Sequence, residues 1–420
     1  MQIAFPYGKQ QIQFNLNDSY RADIFTPKEA APAVDQLAAV EMALETSEAL
    51  QILEKYRRCR SVAIAINDKT RPVPHQFLLP PLLKKLEDLE IQKENIHLMI
   101  ATGTHTPMPP AEFVKVLPDE VINRYPVSSH DSSKKEDLVF LGTTVRGTPV
   151  WINRSFYEAE LKIVVGNIEP HHFAGFSGGV KSAVIGLGGP LTIYKNHSML
   201  VHPDAFIGKF DQNPLRQDIE ELGHTVGIQF ALNAILNRGK AIVHVLAGNP
   251  EEVMRKGIPI SRTICQVFAG HKYDIVIASP GGYPKDINLY QSQKALTHAS
   301  LLCRDKGTVI LAAACAEGSG SRPYELFMKD VKTVDEVFDK FSRQEFAIGP
   351  HKAFQFAREL KRINVILVSE LPADLVKNLL LTPARNLEEA FRIALAQSPS
   401  SPPEIACMPL ATSTIPFIQE

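Results

Sequence analysis

Apolar and polar positions alternate through IAFPYGKQQIQFNL (3–16) on either side of a Tyr-Gly step. That period of two reads as a β-hairpin. Beyond it the pattern changes to short unbroken β-branched runs, each closed by a polar loop and followed by a stretch of helical period. SVAIAI (61–66) ends in NDKTRPVP, IHLMIA (96–101) ends in TGTHTP, and LKIVVG (161–166) ends in NIEPHHFAGFSGG. Between the first two, LLPPLLKKLEDL carries a helical period. A second block starts with YDIVIAS (273–279), which leads into PGGYPKDINLYQSQKAL and a helix. GTVILAAA and INVILVSE are further strands, NLEEAFRIALAQ is an amphipathic helix, and IACMPLATSTIPFI is strand-like. PEEVMRKGIPISRTICQVFAG reads as a long connecting helix, and SPSSPPE as a surface loop. Alternating buried strands and helices predict an α/β fold with mainly parallel sheets. Ligands of such sheets gather at the carboxyl ends of the strands, so the three unusual loops are expected to meet at one edge.

Length and composition narrow the class. A chain of 420 residues favours two domains. Hydrophobic residues make up 45% and charged residues 22%, and the net charge is −1. There is no global basic field for nucleic acid or an anionic membrane. No apolar run approaches the roughly 20 residues of a membrane span, and MQIAFPYGKQ is not a signal peptide. The five cysteines are scattered with no C-x-x-C pair, which favours a reducing, cytoplasmic setting over disulfides or a cysteine-rich metal site.

Candidate chemistry sits in four loops. Loop one carries Asp68, Thr70 and Arg71. Arg71 offers a planar fork for a carboxylate or phosphate, with Asp68 expected to hold it; an Asp–Arg pair capping a turn is the structural alternative. Loop two places His105 just beyond Gly103, as a neutral-pH base or a hydrogen-bonded structural histidine. Loop three holds His171, His172 and Lys181, with His197 following on a helix. Loop four holds Tyr290, Gln291 and Lys294; Gln291 and Lys294 are spaced i, i+3 and share a helix face. Together these groups suit a small anion, with others left for acid–base work and a metal.

Loop three also comes close to a phosphate-binding loop. G-x-x-x-x-G-K-[ST] would end at Lys181 and Ser182, and Gly175 is in place, but Val180 stands where the second glycine belongs. A nucleotide-dependent phosphotransferase is therefore a distant alternative. A non-catalytic organic-acid binder is a third.

The motifs taken in order resemble the nickel-pincer lactate racemase family of nickel-dependent 2-hydroxyacid racemases and epimerases. They are DxTRP (68–72), TGxH ending at His105, H-x-FAGFSGG-x-KS (171–182), Asn196-His197, and GGYPxDxNxYQxxK (281–294). The resemblance implies an N-terminal α/β domain over residues 1–262, and a Rossmann-like domain with linking helices over 263–420. It implies that Lys181 anchors a pyridinium-3-thioamide-5-thiocarboxylic acid mononucleotide, and that His197 is the protein ligand of the nickel this pincer holds. Asp68, Thr70, Ser177, Gly178 and Gly179 fall at cofactor-binding positions. His105 and His171 match the two acid–base histidines. Arg71, Tyr290, Gln291 and Lys294 match groups that bind the substrate. The partners implied are a small 2-hydroxyacid and the cofactor-maturation enzymes, with neither nucleic acid nor membrane. Departures concern the substrate: Thr104, Thr106 and Val180 replace bulkier or basic residues, His172 stands where the lactate enzymes carry an aromatic residue, and ACAEGSGSRPYE differs. A roomier, more polar pocket would suit a larger hydroxyacid (malate, an aryl-lactate or an aldonate) as well as lactate itself.

Overall fold

Val62–Asn67, Ile96–Ala101 and Leu161–Asn167, the runs read as strands, lie parallel in one six-stranded sheet of the computed structural model. The structure describes residues 1–398 and 400–418; Pro399, within SPSSPPE, lies outside them. Two compact units divide the chain: residues 29–264, and residues 1–28 together with 265–420. Each is an α/β unit.

In the first unit the sheet runs Ile242–Gly248, Phe230–Leu236, Leu161–Asn167, Val62–Asn67, Ile96–Ala101, Val127–Ser129. Every neighbouring pair is parallel except Ile242–Gly248 against Phe230–Leu236. The central strands are buried on both faces, which is why they read as unbroken apolar runs rather than as alternation. The helix His75–Asp88 turns Leu78, Leu79, Leu82, Leu83 and Leu86 into the core beneath Ile64, Ile66 and Leu98. Full burial of each leucine contributes about 1.5–3 kcal/mol.

The second unit has its own six-stranded sheet, in the order Thr382–Ala384, Asn364–Val368, Cys303–Ala312, Tyr273–Ala278, Ile405–Met408, Ala22–Ile24, parallel throughout. The hairpin Gln2–Tyr7/Gln10–Asn15 forms as expected, turning at Gly8-Lys9, with Gly8 at φ +56°. It belongs to the second unit rather than to the one that follows it in sequence. Phe5 and Phe14 are buried against Ile275, Ile277 and Ile310 of this second sheet. The hairpin is also tied at its turn, where the Gly8 N–H donates to Asp286 Oδ2 at 2.6 Å. A division at 262 that assigns everything before it to one domain thus misplaces residues 1–28.

Two other boundaries move. The connecting helix spans Pro250–Cys265, and the following Gln266–Ala269 is a strand paired in parallel with Ile415–Ile418. IACMPLATSTIPFI is accordingly two strands, Ile405–Met408 and Ile415–Ile418, separated by a short turn of helix. Among the described residues, no helix is long and apolar enough to cross a membrane.

Candidate active site

Chain order along the first unit's sheet reverses beside Val62–Asn67: later strands add on one side through Ile96–Ala101, then on the other through Leu161–Asn167. The loops leaving the carboxyl ends of such strands diverge and leave a crevice. Loops one, two and three all leave from this edge.

Loop one begins with Asp68, only 3% exposed. Its Oδ1 accepts from the Thr70 backbone N–H at 3.1 Å and from the Thr70 hydroxyl at 2.6 Å. Its Oδ2 lies 2.7 Å from His105 Nδ1. The expected Asp68–Arg71 pairing is replaced: Arg71 contributes a backbone N–H to the Asp68 carbonyl at 3.1 Å, and its exposed guanidinium makes no ion pair with the carboxylate. The reason is geometric. His105 leaves the neighbouring strand at the same edge, so its ring reaches the carboxylate across the sheet. Gly103, at φ +58°, lets the chain turn there, and its N–H bonds the Gly186 carbonyl at 2.8 Å. Burial raises the Asp68 pKa, but the bonds from His105 and Thr70 and the charge of Arg71 outweigh it and leave it below the ordinary carboxylate value.

Loop three makes a tight turn through Gly178 and Gly179, at φ +91° and +58°. A Cβ on Gly178 would lie 2.9 Å from Ile168 Cγ1 and 3.1 Å from the Asn167 carbonyl oxygen, so glycine is required by conformation and space together. The Gly179 N–H donates to Asn233 Oδ1 at 2.7 Å, and the buried Arg216 donates to the carbonyls of Phe176 and Gly178 at 3.0 and 3.2 Å. Val180 turns its side chain onto Gly223 of the helix Pro214–Val226. The helix that follows, Lys181–Val184, is a single turn. This is a short, stapled turn whose product is the placement of Lys181.

Lys181 is 7% exposed, and among the described residues its side chain has no hydrogen-bond or ion-pair partner. Burial holds its pKa well below the ordinary lysine value. Arg71 and Arg216 push the same way, against Glu169. Disfavouring the charged form favours the neutral amine, which is the nucleophilic form of lysine.

Four rings lie next to one another. His171 and His172 stack at 4.7 Å between centroids, and Phe173 meets both edge-on, at 4.7 and 4.2 Å. Phe173 also meets His197 edge-on at 5.0 Å. His171 sits on the two-residue strand Pro170–His171, and its Nδ1 accepts from the Ala174 N–H at 3.2 Å. His197 lies on the helix Pro190–Ser198, as expected, and its Nδ1 is 3.2 Å from Asn196 Oδ1. Ser177 donates its N–H to the Glu169 carbonyl at 2.7 Å, closing the loop beneath these rings.

In the second unit, Gln291 and Lys294 share a face of the helix Leu289–Leu302, with Lys294 Nζ 3.1 Å from Gln291 Oε1. The helix does not open at PGG. It starts after a further turn and is capped by Asn288, which accepts the Gln291 N–H at 3.0 Å. Burial raises the Tyr290 pKa, and the Tyr290 hydroxyl lies 3.4 Å from His351 Nε2.

Sequence reading missed Arg216, Asp218 and Asn233. All three are fully buried polar residues. Arg216 and Asp218 stand beside Leu215 and Ile219 near the start of the helix Pro214–Val226. Charges on the apolar stripe of a helix were the available signal.

Known proteins resemble the chain over nearly its whole length. The family model for the lactate racemase N-terminal domain matches residues 7–208, and that for the lactate racemase C-terminal domain matches 269–415. A lactate racemase of Thermoanaerobacterium thermosaccharolyticum is 33% identical over 403 residues, covering 93% of this chain and 94% of its own. A lactate racemase of Lactiplantibacillus plantarum is 31% identical over 404 residues, covering 94% and 95%. The solved structure of the lactate racemase apoprotein from Thermoanaerobacterium thermosaccharolyticum superposes with a TM-score of 0.91 at 32% identity, over 99% of this chain and all of that one. With both domain models matched in order and relatives aligned over nearly its whole length, the chain belongs to the lactate racemase family and is an isomerase, a racemase.

Proposed function

We propose that the protein racemises or epimerises a 2-hydroxyacid with a nickel-pincer nucleotide tethered to Lys181. The observation that carries this reading is the Lys181 side chain itself: it is buried on the Gly178–Gly179 turn without a hydrogen-bond or ion-pair partner among the described residues, and burial disfavours its charged form. A surface lysine would be solvated and charged, and a phosphate-binding lysine would need its charge. A lysine destined for acylation loses that charge for good, so burial costs nothing once the bond is made. Among the described residues, no three His, Cys, Asp or Glu side chains gather to hold a metal. A metal bound through His197 would therefore draw its other donors from the tethered group. The residues fit that group.

When bound, the cofactor supplies a reversible acceptor for the C2 hydrogen as hydride. The chain supplies the proton chemistry. Asp68 accepts the Nδ1–H of His105, which leaves the Nε2 lone pair to take the substrate's hydroxyl proton. His171 is the second acid–base group. With Nδ1 accepting from Ala174, its neutral ring carries the proton on Nε2, and it must release that backbone bond to hold a second proton. Arg71 in the first unit, and Tyr290, Gln291 and Lys294 in the second, are the groups this reading assigns to substrate binding, by their match to the family's motifs. Return of hydrogen to either face of the planar 2-keto acid gives either enantiomer.

The test is protein made together with the cofactor-building enzymes. Nickel should co-purify, and a panel of single-enantiomer 2-hydroxyacids, from lactate to malate, aryl-lactates and aldonates, should include one that loses optical purity. Metal-free protein that turns over ATP instead would replace this reading with the phosphotransferase one.

A further inference from the structure

The polar network behind His197 is fully buried and runs in one direction. Asn196 Nδ2 donates to Asp218 Oδ2 at 2.8 Å and to the Leu215 carbonyl at 3.1 Å. Asp218 Oδ1 accepts from the Thr144 hydroxyl at 2.6 Å, and Thr144 Oγ1 accepts from the Thr148 N–H at 3.1 Å. Asn196, Asp218 and Thr148 are wholly excluded from solvent, and Thr144 nearly so.

This network removes the usual ambiguity of an amide. If the Asn196 side chain were turned end for end, its oxygen would face a carboxylate and a carbonyl, two acceptors with no hydrogen between. In a buried site each lost bond costs about 1–3 kcal/mol, and more beside a charge. Two acceptors therefore fix Nδ2 on their side and Oδ1 on the side of His197. Oδ1 can only accept, so the His197 nitrogen 3.2 Å away must carry a hydrogen. That nitrogen is Nδ1. The neutral ring then keeps its lone pair on Nε2.

We infer that Asp218, acting through Asn196, selects the tautomer of His197 and thereby presents Nε2 as the metal-donating atom. The link to nickel rests on the function proposed above; the tautomer itself does not. Asn196 and Asp218 are positioning residues. They touch neither metal nor substrate, and they act by deciding which nitrogen can donate. Thr144 extends the chain by holding the carboxylate in place.

The experiment uses protein with isotope-labelled histidine ring nitrogens, made without the cofactor, and long-range proton–nitrogen correlation near pH 8. The His197 signals are assigned by their loss in His197→Ala. In the wild-type protein His197 should be in the Nδ1–H form. In Asn196→Leu, which keeps the bulk but not the oxygen, that preference should be lost. A wild-type ring in the Nε2–H form overturns the inference without any variant. So does an Asn196→Leu ring that stays in the Nδ1–H form. Loss of packing alone would lower the melting temperature and leave the tautomer unchanged. In protein co-produced with the cofactor-building enzymes, Asn196→Leu should retain nickel against a chelator about 10–100-fold less well. If the tautomer behaves as stated while His197→Ala keeps its nickel, the selection stands and the nickel assignment falls.

Discussion

Nδ1 of His105 lies 2.7 Å from Oδ2 of Asp68, pairing a half-exposed ring with a buried carboxylate. The other carboxylate oxygen is occupied by both donors of Thr70. Asp68→Asn therefore has one comfortable orientation: its carbonyl oxygen stays with Thr70 and its NH2 faces His105. Nδ1 must then accept, the ring's proton moves to Nε2, and the lone pair that takes the substrate proton is lost. Racemisation should fall on the order of 10²–10⁴-fold with little change in folding. Rates of lost optical activity in wild type and Asp68→Asn check this. A variant within a few-fold of wild type would detach Asp68 from the acid–base step.

Lys181 gives a second prediction. Its amine is buried and held well below the ordinary lysine pKa, first by burial and then by Arg71 and Arg216. The neutral amine is the form that attacks an activated acyl group. Intact protein co-produced with the maturation enzymes should exceed its sequence mass. Lys181→Ala should remove the excess, whereas replacing the exposed Lys195 should not. Wild-type protein that is active at its unmodified mass would refute the tether.

The elements that carry the candidate residues were legible where each motif lies within a short string. The GG-x-K turn, the Asn-His pair and the helix face of Gln291 and Lys294 each lie within a few residues of sequence, and the structure places each on the element expected. What escaped depends on separation along the chain. Asp68 looked like the partner of Arg71, three positions away, yet its ring partner is 37 positions on, at the end of the adjacent strand. Asp218 lies 22 positions from Asn196, on an otherwise ordinary amphipathic helix. The hairpin carrying Phe5 and Phe14 was recognisable from its alternation. Alternation says that one face is buried, and not which of two sheets buries it.

Acid should unfold the first unit partly through His75. Its Nδ1–H donates to the Val116 carbonyl at 2.9 Å, while its Nε2 is buried without a partner among the described residues. Burial pulls its pKa down to about 4, against the opposing effect of that carbonyl bond. The unfolded chain binds the proton more readily, so stability is fully present above about pH 6.5 and is lost as pH falls towards 4. That difference between the folded and unfolded chains corresponds to about 3 kcal/mol. His75→Gln can keep a donor for Val116 but cannot titrate. Denaturant unfolding at pH 7 and at pH 4 should show a smaller acid loss in the variant. Equal losses in both proteins would show that other groups set the acid limit.

Lys352, in the second unit, follows the same sign as His75 over a higher pH window, because its burial costs stability wherever the unfolded chain is protonated and the folded one is not. It is 1% exposed, its Nζ donates to Gln293 Oε1 at 3.0 Å, and it lies 4.5 Å from the centre of the Tyr290 ring. Among the described residues no carboxylate pairs with it. Burial holds its pKa well below the ordinary lysine value, and the charges of Lys294 and Arg358 add to this. The unfolded chain keeps the lysine protonated up to about pH 10.4, so between the folded value and that pH unfolding takes up a proton. Stability contributed through this group therefore rises with pH over that window. Lys352→Met fills similar space without a charge to desolvate, leaving Gln293 to keep its bond to Thr297 at 2.8 Å. The variant should melt higher than wild type at pH 6, by a margin that shrinks as pH approaches 10. Melting curves across that range decide it. A variant less stable at every pH would mean that the Gln293 bond and the packing on Tyr290 outweigh the buried amine. A margin that does not change with pH would mean that Lys352 keeps its ordinary pKa in the folded protein.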